Sequence, residues 1–287
     1  MFKHIQLLAR LVGLCLTHQM VTKECIGQAY SEVSSTYEDY FLKTMHTYND
    51  LVLKGLLKEE PPLDLRVLDL ACGTGYNSVY LQKYYEKAQF KLVDISEGML
   101  EQAKKKGLKN ATYTQQDMLS FLDREKDASF DRIICCWAIK YQSPQKIIKE
   151  VYRVLKPGGL FGVIVNTKET LPEIRSIYPK LLLKEHKAIQ KVMLELPNPV
   201  NKRTFDSWFE KMGFNVLEGE EGKHIFTFEE ESLLIDWVTH TGALAGFDTM
   251  IDLKNKSVQR EMCKLLAEKG IKQVTHTFVW GIFKKEE

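Results

Sequence analysis

Short apolar runs recur through the middle of the chain, each followed by a stretch whose apolar residues return every three to four positions. Leu65 to Leu70 (LRVLDL) reads as a first strand, followed by the turn Gly73-Thr74-Gly75 and a helix over 76–86. Phe90 to Asp94 (FKLVD) is a second strand, and Ser96 is placed to cap a helix that stops at Gly107. Asn110 to Gln116 makes a third strand, closed by Asp117. Phe130 to Cys136 (FDRIICC) is a fourth, with the composition of a buried strand. A helix from about Pro144 to Leu155, a turn at Lys156-Pro157-Gly158-Gly159 and a strand over 160–166 complete the series. This alternation predicts an α/β fold built on a doubly wound, mainly parallel sheet.

Beyond Asn166 the rhythm changes. Residues 168–195 have a helical pattern, Pro197 to Pro199 interrupt it, and Thr204 to Met212 form a helix stopped by Gly213. Strand-like stretches follow near 214–217 and 224–228, then two helices within 229–269 and a closing strand over 276–283. The segments at about 168–200 and 229–270 are expected to form an inserted helical cap over the carboxyl edge of the sheet. The expected organisation is an N-terminal helical segment, 1–48, that covers the ligand site, and an α/β domain with its cap, 49–287.

Residues 5–16 (IQLLARLVGLCL) are apolar, but Arg10 interrupts them, no small-residue cleavage site follows, and twelve residues are too few to span a bilayer. Ile5, Leu8, Val12 and Leu16 share one helical face, so an amphipathic helix is expected, packed on the domain or on a partner chain such as a second copy, with association at a membrane surface left open. A net charge of +2, from 40 basic and 38 acidic residues, gives no electrostatic reason to expect a nucleic-acid partner. The six cysteines show neither a CxxC pair nor a Cys/His cluster, so no metal is expected and the thiols read as reduced, in a cytoplasmic protein.

The chemistry is concentrated at the strand ends. Asp69, Asp94 and Asp117 close the first three strands, where ligands of doubly wound folds bind. Gly73 and Gly75 sit in the first strand-to-helix turn, where the backbone can adopt positive φ and approach a ligand. A dinucleotide pyrophosphate suits this turn poorly, because Asp69 lies four residues before Gly73 and Ser78 replaces the third glycine of GxGxxG. S-adenosylmethionine suits it better, since it carries no phosphate and offers an ammonium, a ribose diol and an adenine amine to three acids.

VLDLACGTGYNS (67–78) resembles the cofactor-binding motif of class I S-adenosylmethionine-dependent methyltransferases. VDISEGMLEQA (93–103), QQDMLSF (115–121), FDRIICCWAIKY (130–141) and VYRVLKPGGLFGVIV (151–165) resemble, in order, the next four motifs of the same family. The resemblance implies a Rossmann-like methyltransferase fold, S-adenosylmethionine as cofactor and S-adenosylhomocysteine as product. It implies that Asp69 organises the methionine end, that Gly73 and Gly75 contact the cofactor backbone, that Asp94 takes the ribose hydroxyls, and that Ala71, Ile95 and Met99 are further cofactor-binding residues. Asp117 and Met118 would border the adenine, and Cys135 would line the pocket. AYSEVSSTYEDYF (29–41) resembles the stretch that folds over the cofactor in many relatives, with Tyr37 as its aromatic. No catalytic base stands out, which is compatible with in-line methyl transfer to a carboxylate. The carboxyl-terminal order, including WVTHTGA (237–243), loosely resembles malonyl-acyl-carrier and trans-aconitate O-methyltransferases. Arg153, Arg175, Arg203 and Arg260 are candidate carboxylate partners on that reading. A quinone ring carbon or a small amine as substrate, and a binding module without turnover, stay open beside it.

Overall fold

The first strand forms because Val67, Leu68 and Leu70 are apolar and unbroken, and it ends where Ala71 and Gly73 turn to positive φ. The computed structural model describes residues 2–38, 43–241, 244 and 246–286. Strands β1 (Arg66–Leu70), β2 (Gln89–Asp94), β3 (Ala111–Gln115), β4 (Phe130–Cys136) and β5 (Leu155–Asn166) run parallel in the order β3-β2-β1-β4-β5. The antiparallel strand β8 (Gln273–Lys285) follows, then β6 (Phe214–Glu218), and β7 (Glu221–Thr227) also pairs with β8. The expected doubly wound, mainly parallel sheet is thus present, and its order reverses between β1 and β4, the place where such sheets bind ligands.

Helices α4 (Tyr76–Gln82), α5 (Glu97–Lys105), α6 (Met118–Leu122), α7 (Pro144–Val154) and α9 (Lys202–Glu210) accompany these strands. Ser96 caps α5 through Met99 N at 3.2 Å, as its position before the apolar run requires. The turn expected at Lys156–Gly159 lies inside β5. Pairing with β4 jumps from Phe130↔Leu155 to Phe161 opposite Ile133, and Gly158 takes the reversal at φ 74°. Helix α3 (Lys43–Leu56) lies on β5 where the strand carries Gly162; a Cβ there would stand 2.6 Å from Val52 Cγ1.

The chain separates into two compact units, Met1–Phe41 with Glu169–Glu195 and Lys223–His276, and Leu42–Lys168 with Leu196–Gly222 and Thr277–Glu287. The boundary expected at residue 48 falls inside α3, which belongs wholly to the second unit because it is seated on β5. The first unit holds α1 (Phe2–Leu16), α2 (Lys23–Val33), α8 (Pro172–Lys184), α10 (Glu231–His240), α11 (Phe247–Met250) and α12 (Lys256–Glu268). In it α12 packs on α8 and α10, and the Glu173 carboxylate accepts from Thr275 N (3.0 Å) and Thr275 Oγ1 (2.6 Å). Helix α1 turns Leu14 inward against its own unit, and the Arg10 guanidinium fixes that rotation by donating to Ile189 O at 2.7 and 2.9 Å. The face formed by Ile5, Leu8, Val12 and Leu16 is exposed, so of the partners expected for it the chain's own domain is not one.

In the second unit the far end of the sheet is closed by aromatic rings, with Phe209 of α9 stacked on Phe283 of β8 and both fully buried. Removing the Phe209 ring leaves a cavity that this rigid edge cannot refill. Phe209→Ala is therefore expected to lower unfolding free energy by about 3–5 kcal/mol in urea titrations.

Candidate active site at the carboxyl edge

Asp69 is the last acid of β1 and is fully buried. Its carboxylate accepts from Ser78 Oγ at 2.8 Å and from Asn77 Nδ2 at 3.2 Å, so it ties β1 to the first turns of α4. The serine that replaces the third motif glycine is thus the partner of the motif acid. Asn77 is held in turn by Asn49 Nδ2 at 2.9 Å, and Asn49 Oδ1 accepts from Trp137 Nε1 at 2.7 Å. Trp137 follows β4 at φ 67°, an uncommon conformation for a bulky residue that this hydrogen bond and burial hold in place.

The two glycines of the turn do different work. Gly75 starts α4 at φ 81°, and a Cβ there would meet Ala103 Cβ at 3.1 Å, so it serves the turn and the packing of α5. Gly73, at φ 53°, would place a Cβ with nothing within 4 Å. Its backbone borders open space and its amide donates to Asp94 Oδ2 at 2.8 Å. Asp94 Oδ1 accepts from Ser96 N, also at 2.8 Å. With the Ile95 amide as a third donor, the carboxylate still has lone-pair capacity for a ligand donor.

Burial pushes the Asp69 carboxyl up to about 6 against the hydrogen bonds from Ser78 and Asn77, and the nearby Asp94 adds to the rise. Burial likewise pushes Asp94 up to about 6, opposed by the amides of Ser96, Gly73 and Ile95. Among the described residues neither acid is paired with a cation. Two buried acids side by side without a counter-charge form a site shaped for a cationic or donor-rich ligand.

The remaining motif residues are spread over several elements. Ala71 takes φ 54° between the acids of β1 and β2, Ile95 is half-buried just after Asp94, and Met99 is buried in the first turn of α5. Asp117 caps α6, accepting from Ser120 N at 3.1 Å and Gln142 Nε2 at 2.7 Å. Met118 and Cys135 are buried with their sulfurs 3.8 Å apart. Tyr37 belongs to the first unit, where it is buried edge-on to Tyr30 at 5.7 Å. Residues 39–41 of the stretch around it, and 242 and 243 of WVTHTGA, lie outside the described residues.

The sequence reading missed Lys140. It lies on a 3-10 turn that follows β4, is buried, and donates to Asn166 Oδ1 at the end of β5. Burial alone pushes its ammonium down to about 7. Of the arginines considered for a carboxylate, Arg153 is committed elsewhere, to Glu150, Asp127 and the carbonyls of Leu122 and Glu125.

Residues 67–159, the span that carries Asp69 to Lys140, match the family described as a methyltransferase domain (Methyltransf_25). Over these residues the chain carries a class I S-adenosylmethionine-dependent methyltransferase domain. The demethylmenaquinone methyltransferase of Lactococcus lactis subsp. lactis is 29% identical over 229 residues, covering 71% of this chain and 88% of that one. The malonyl-[acyl-carrier protein] O-methyltransferase of Priestia megaterium is 28% identical over 173 residues, 55% of this chain and 57% of that one. The chain spans between 51% and 57% of the length of this and two further malonyl-acyl-carrier relatives. Among solved structures, the [4+2]-cyclase SpnF superposes with a TM-score of 0.59 at 16% identity, covering 93% of this chain and 97% of that one. That likeness concerns the fold, and a cyclase on the same frame shows that the fold alone does not choose the reaction.

The cofactor of this family of enzymes is S-adenosylmethionine, and the residues fit it. The uncompensated acids suit a cation and hydroxyl donors, and the open space beside Gly73 admits a ligand to the backbone. In the free protein the same acids set a pH signature. Their folded values, about 6, lie above an unfolded value of about 3.9. Between those limits the native state binds more protons than the unfolded chain, so this contribution is full below about pH 4 and is lost as pH rises through about 6. Asp94→Asn is expected to flatten the fall in unfolding free energy across that window. An unchanged slope in urea titrations would contradict the assignment.

Proposed function

We propose that the protein transfers the methyl group of S-adenosylmethionine to a small molecule, with a carboxylate oxygen as the acceptor. The observation that carries the first half is the uncompensated acid pair Asp69 and Asp94 beside the open backbone of Gly73. When bound, S-adenosylmethionine supplies an electrophilic methyl group on a sulfonium leaving group. Asp94 would accept the ribose hydroxyls with the lone-pair capacity left over from Gly73, Ile95 and Ser96. Asp69 would act on the methionine end through charge and through the α4 turn that it holds, and Asp117 and Met118 would border the adenine.

The second half is supported by Lys140. An ammonium buried beside an amide oxygen, with no carboxylate among its partners, suits an anionic acceptor group. A carboxylate needs no base, so holding and aligning it is the main task left to the chain. The similarity to malonyl-acyl-carrier O-methyltransferases points the same way. A second reading, methylation of a quinone-type ring carbon, is favoured by the demethylmenaquinone relative, which this chain covers for 88% of its length. There Lys140, with its lowered proton affinity, would serve as the base.

The readings separate experimentally. Label from methyl-labelled S-adenosylmethionine, transferred into a fractionated small-molecule extract, is expected to leave as methanol under mild alkali. Alkali-stable label would move the acceptor to carbon, nitrogen or phenolic oxygen. Asp94→Ala is expected to weaken cofactor binding by about 1–3 kcal/mol in calorimetry, and unchanged affinity in a folded variant would remove Asp94 from the ribose. Lys140→Met is expected to lower kcat/KM at least about tenfold. The loss should fall on KM if the ammonium holds a carboxylate, and on kcat with an altered pH profile if the amine takes a proton.

A further inference from the structure

We infer that α1 is a docking helix for an anionic phospholipid surface, with the face formed by Phe2, Ile5, Leu8, Val12 and Leu16 entering the bilayer interface. These five side chains are 73%, 59%, 64%, 48% and 76% exposed. At the helical repeat they fall in one half of the circumference, and Ala9, Gly13 and Cys15, which share that half, are also exposed and uncharged. The opposite half carries the packing, through buried Leu14 and the Arg10 bond to Ile189 O. The helix is thus held by one side on its own unit and presents a continuous apolar strip on the other. Among the described residues, no other helix strings exposed large apolar side chains along one face.

Two observations choose the occupant. The first is charge: α1 carries exposed Lys3 and His4 in its first turn and no aspartate or glutamate, which suits a negative lipid surface. The second is size. A helix of 15 residues presents a strip about 22 Å long and about 10 Å wide. That is small beside the roughly 800 Å² per partner of a stable protein interface, so pairing α1 with its copy would give a weak dimer. An interfacial helix has no such threshold, because it gains from each apolar side chain that enters the acyl boundary. At 15 residues the helix is too short to span the hydrocarbon core, and it would lie in the interface plane.

The test is sedimentation of the full chain with vesicles of phosphatidylcholine containing about a quarter phosphatidylglycerol, and with phosphatidylcholine alone. The wild-type chain is expected to pellet with the anionic vesicles, less with the neutral ones, and less as salt is raised. Leu8→Glu with Val12→Glu, both at exposed positions, is expected to lower the partition coefficient at least about tenfold with an unchanged circular dichroism spectrum. Should that pair not fold, Leu8→Ser with Val12→Ser carries the same test without new charge. Equal pelleting of wild type and variant, or none with either vesicle, would overturn the inference. So would a dimer in light scattering that the substitutions abolish while vesicles fail to bind.

Discussion

A carboxylate withdrawn from water costs several kcal/mol unless a partner answers its charge, and this fold withdraws two of them at adjoining strand ends. Asp69 and Asp94 are ringed by hydrogen-bond donors but, among the described residues, by no cation, and both sit well above the ordinary carboxylate range. Local structure around them is arranged to hold this state. Ser78 and Asn77 anchor Asp69, and the amides of Gly73 and Ser96 anchor Asp94. The hydrogen-bonded chain from Asn77 through Asn49 to Trp137 fixes the turn after β4 to the same point. A ligand with positive charge and hydroxyl donors relieves the strain, whereas a pyrophosphate would add to it.

The sheet makes this concentration of charge possible. Five parallel strands place their carboxyl ends along one edge, and the reversal between β1 and β4 opens the edge beside Asp69. Glycines are spent where backbones must approach or reverse, at Gly162 under α3 and at Gly73 and Gly75 after β1. Lys140 completes the electrostatic pattern with one buried cation at the end of β4, bonded to the end of β5. Acids at one part of the edge and a buried ammonium at another are what the proposed reaction, a cationic cofactor meeting an anionic acceptor, would use.

Much of this was legible in the sequence because the sheet repeats a simple unit. The acids that close β1 and β2, the glycine turn and the cap at Ser96 are local features, and local rules found them. What escaped was set by packing over long sequence distances. Lys140 looks like any surface lysine until the turn after β4 buries it against Asn166, 26 residues away. The rotation of α1 depends on an arginine reaching a carbonyl 179 residues on, so hydrophobic periodicity named the apolar face but not the side of the helix that packs on the chain. The boundary at residue 48 failed for a similar reason, since only the seating of α3 on β5 shows where its chain segment belongs. Gly73 and Gly75 look alike in sequence, and only their neighbours show which of them borders open space.

The most direct test is calorimetric titration of S-adenosylmethionine into the protein at about pH 6, in two buffers of different ionisation enthalpy. If the buried acid pair receives the cofactor, binding drives the acids to ionise. Protons are then released, and affinity rises from about pH 5 to about pH 7. Failure to bind, or binding with no proton exchange and constant affinity across that range, would contradict the central role given to Asp69 and Asp94.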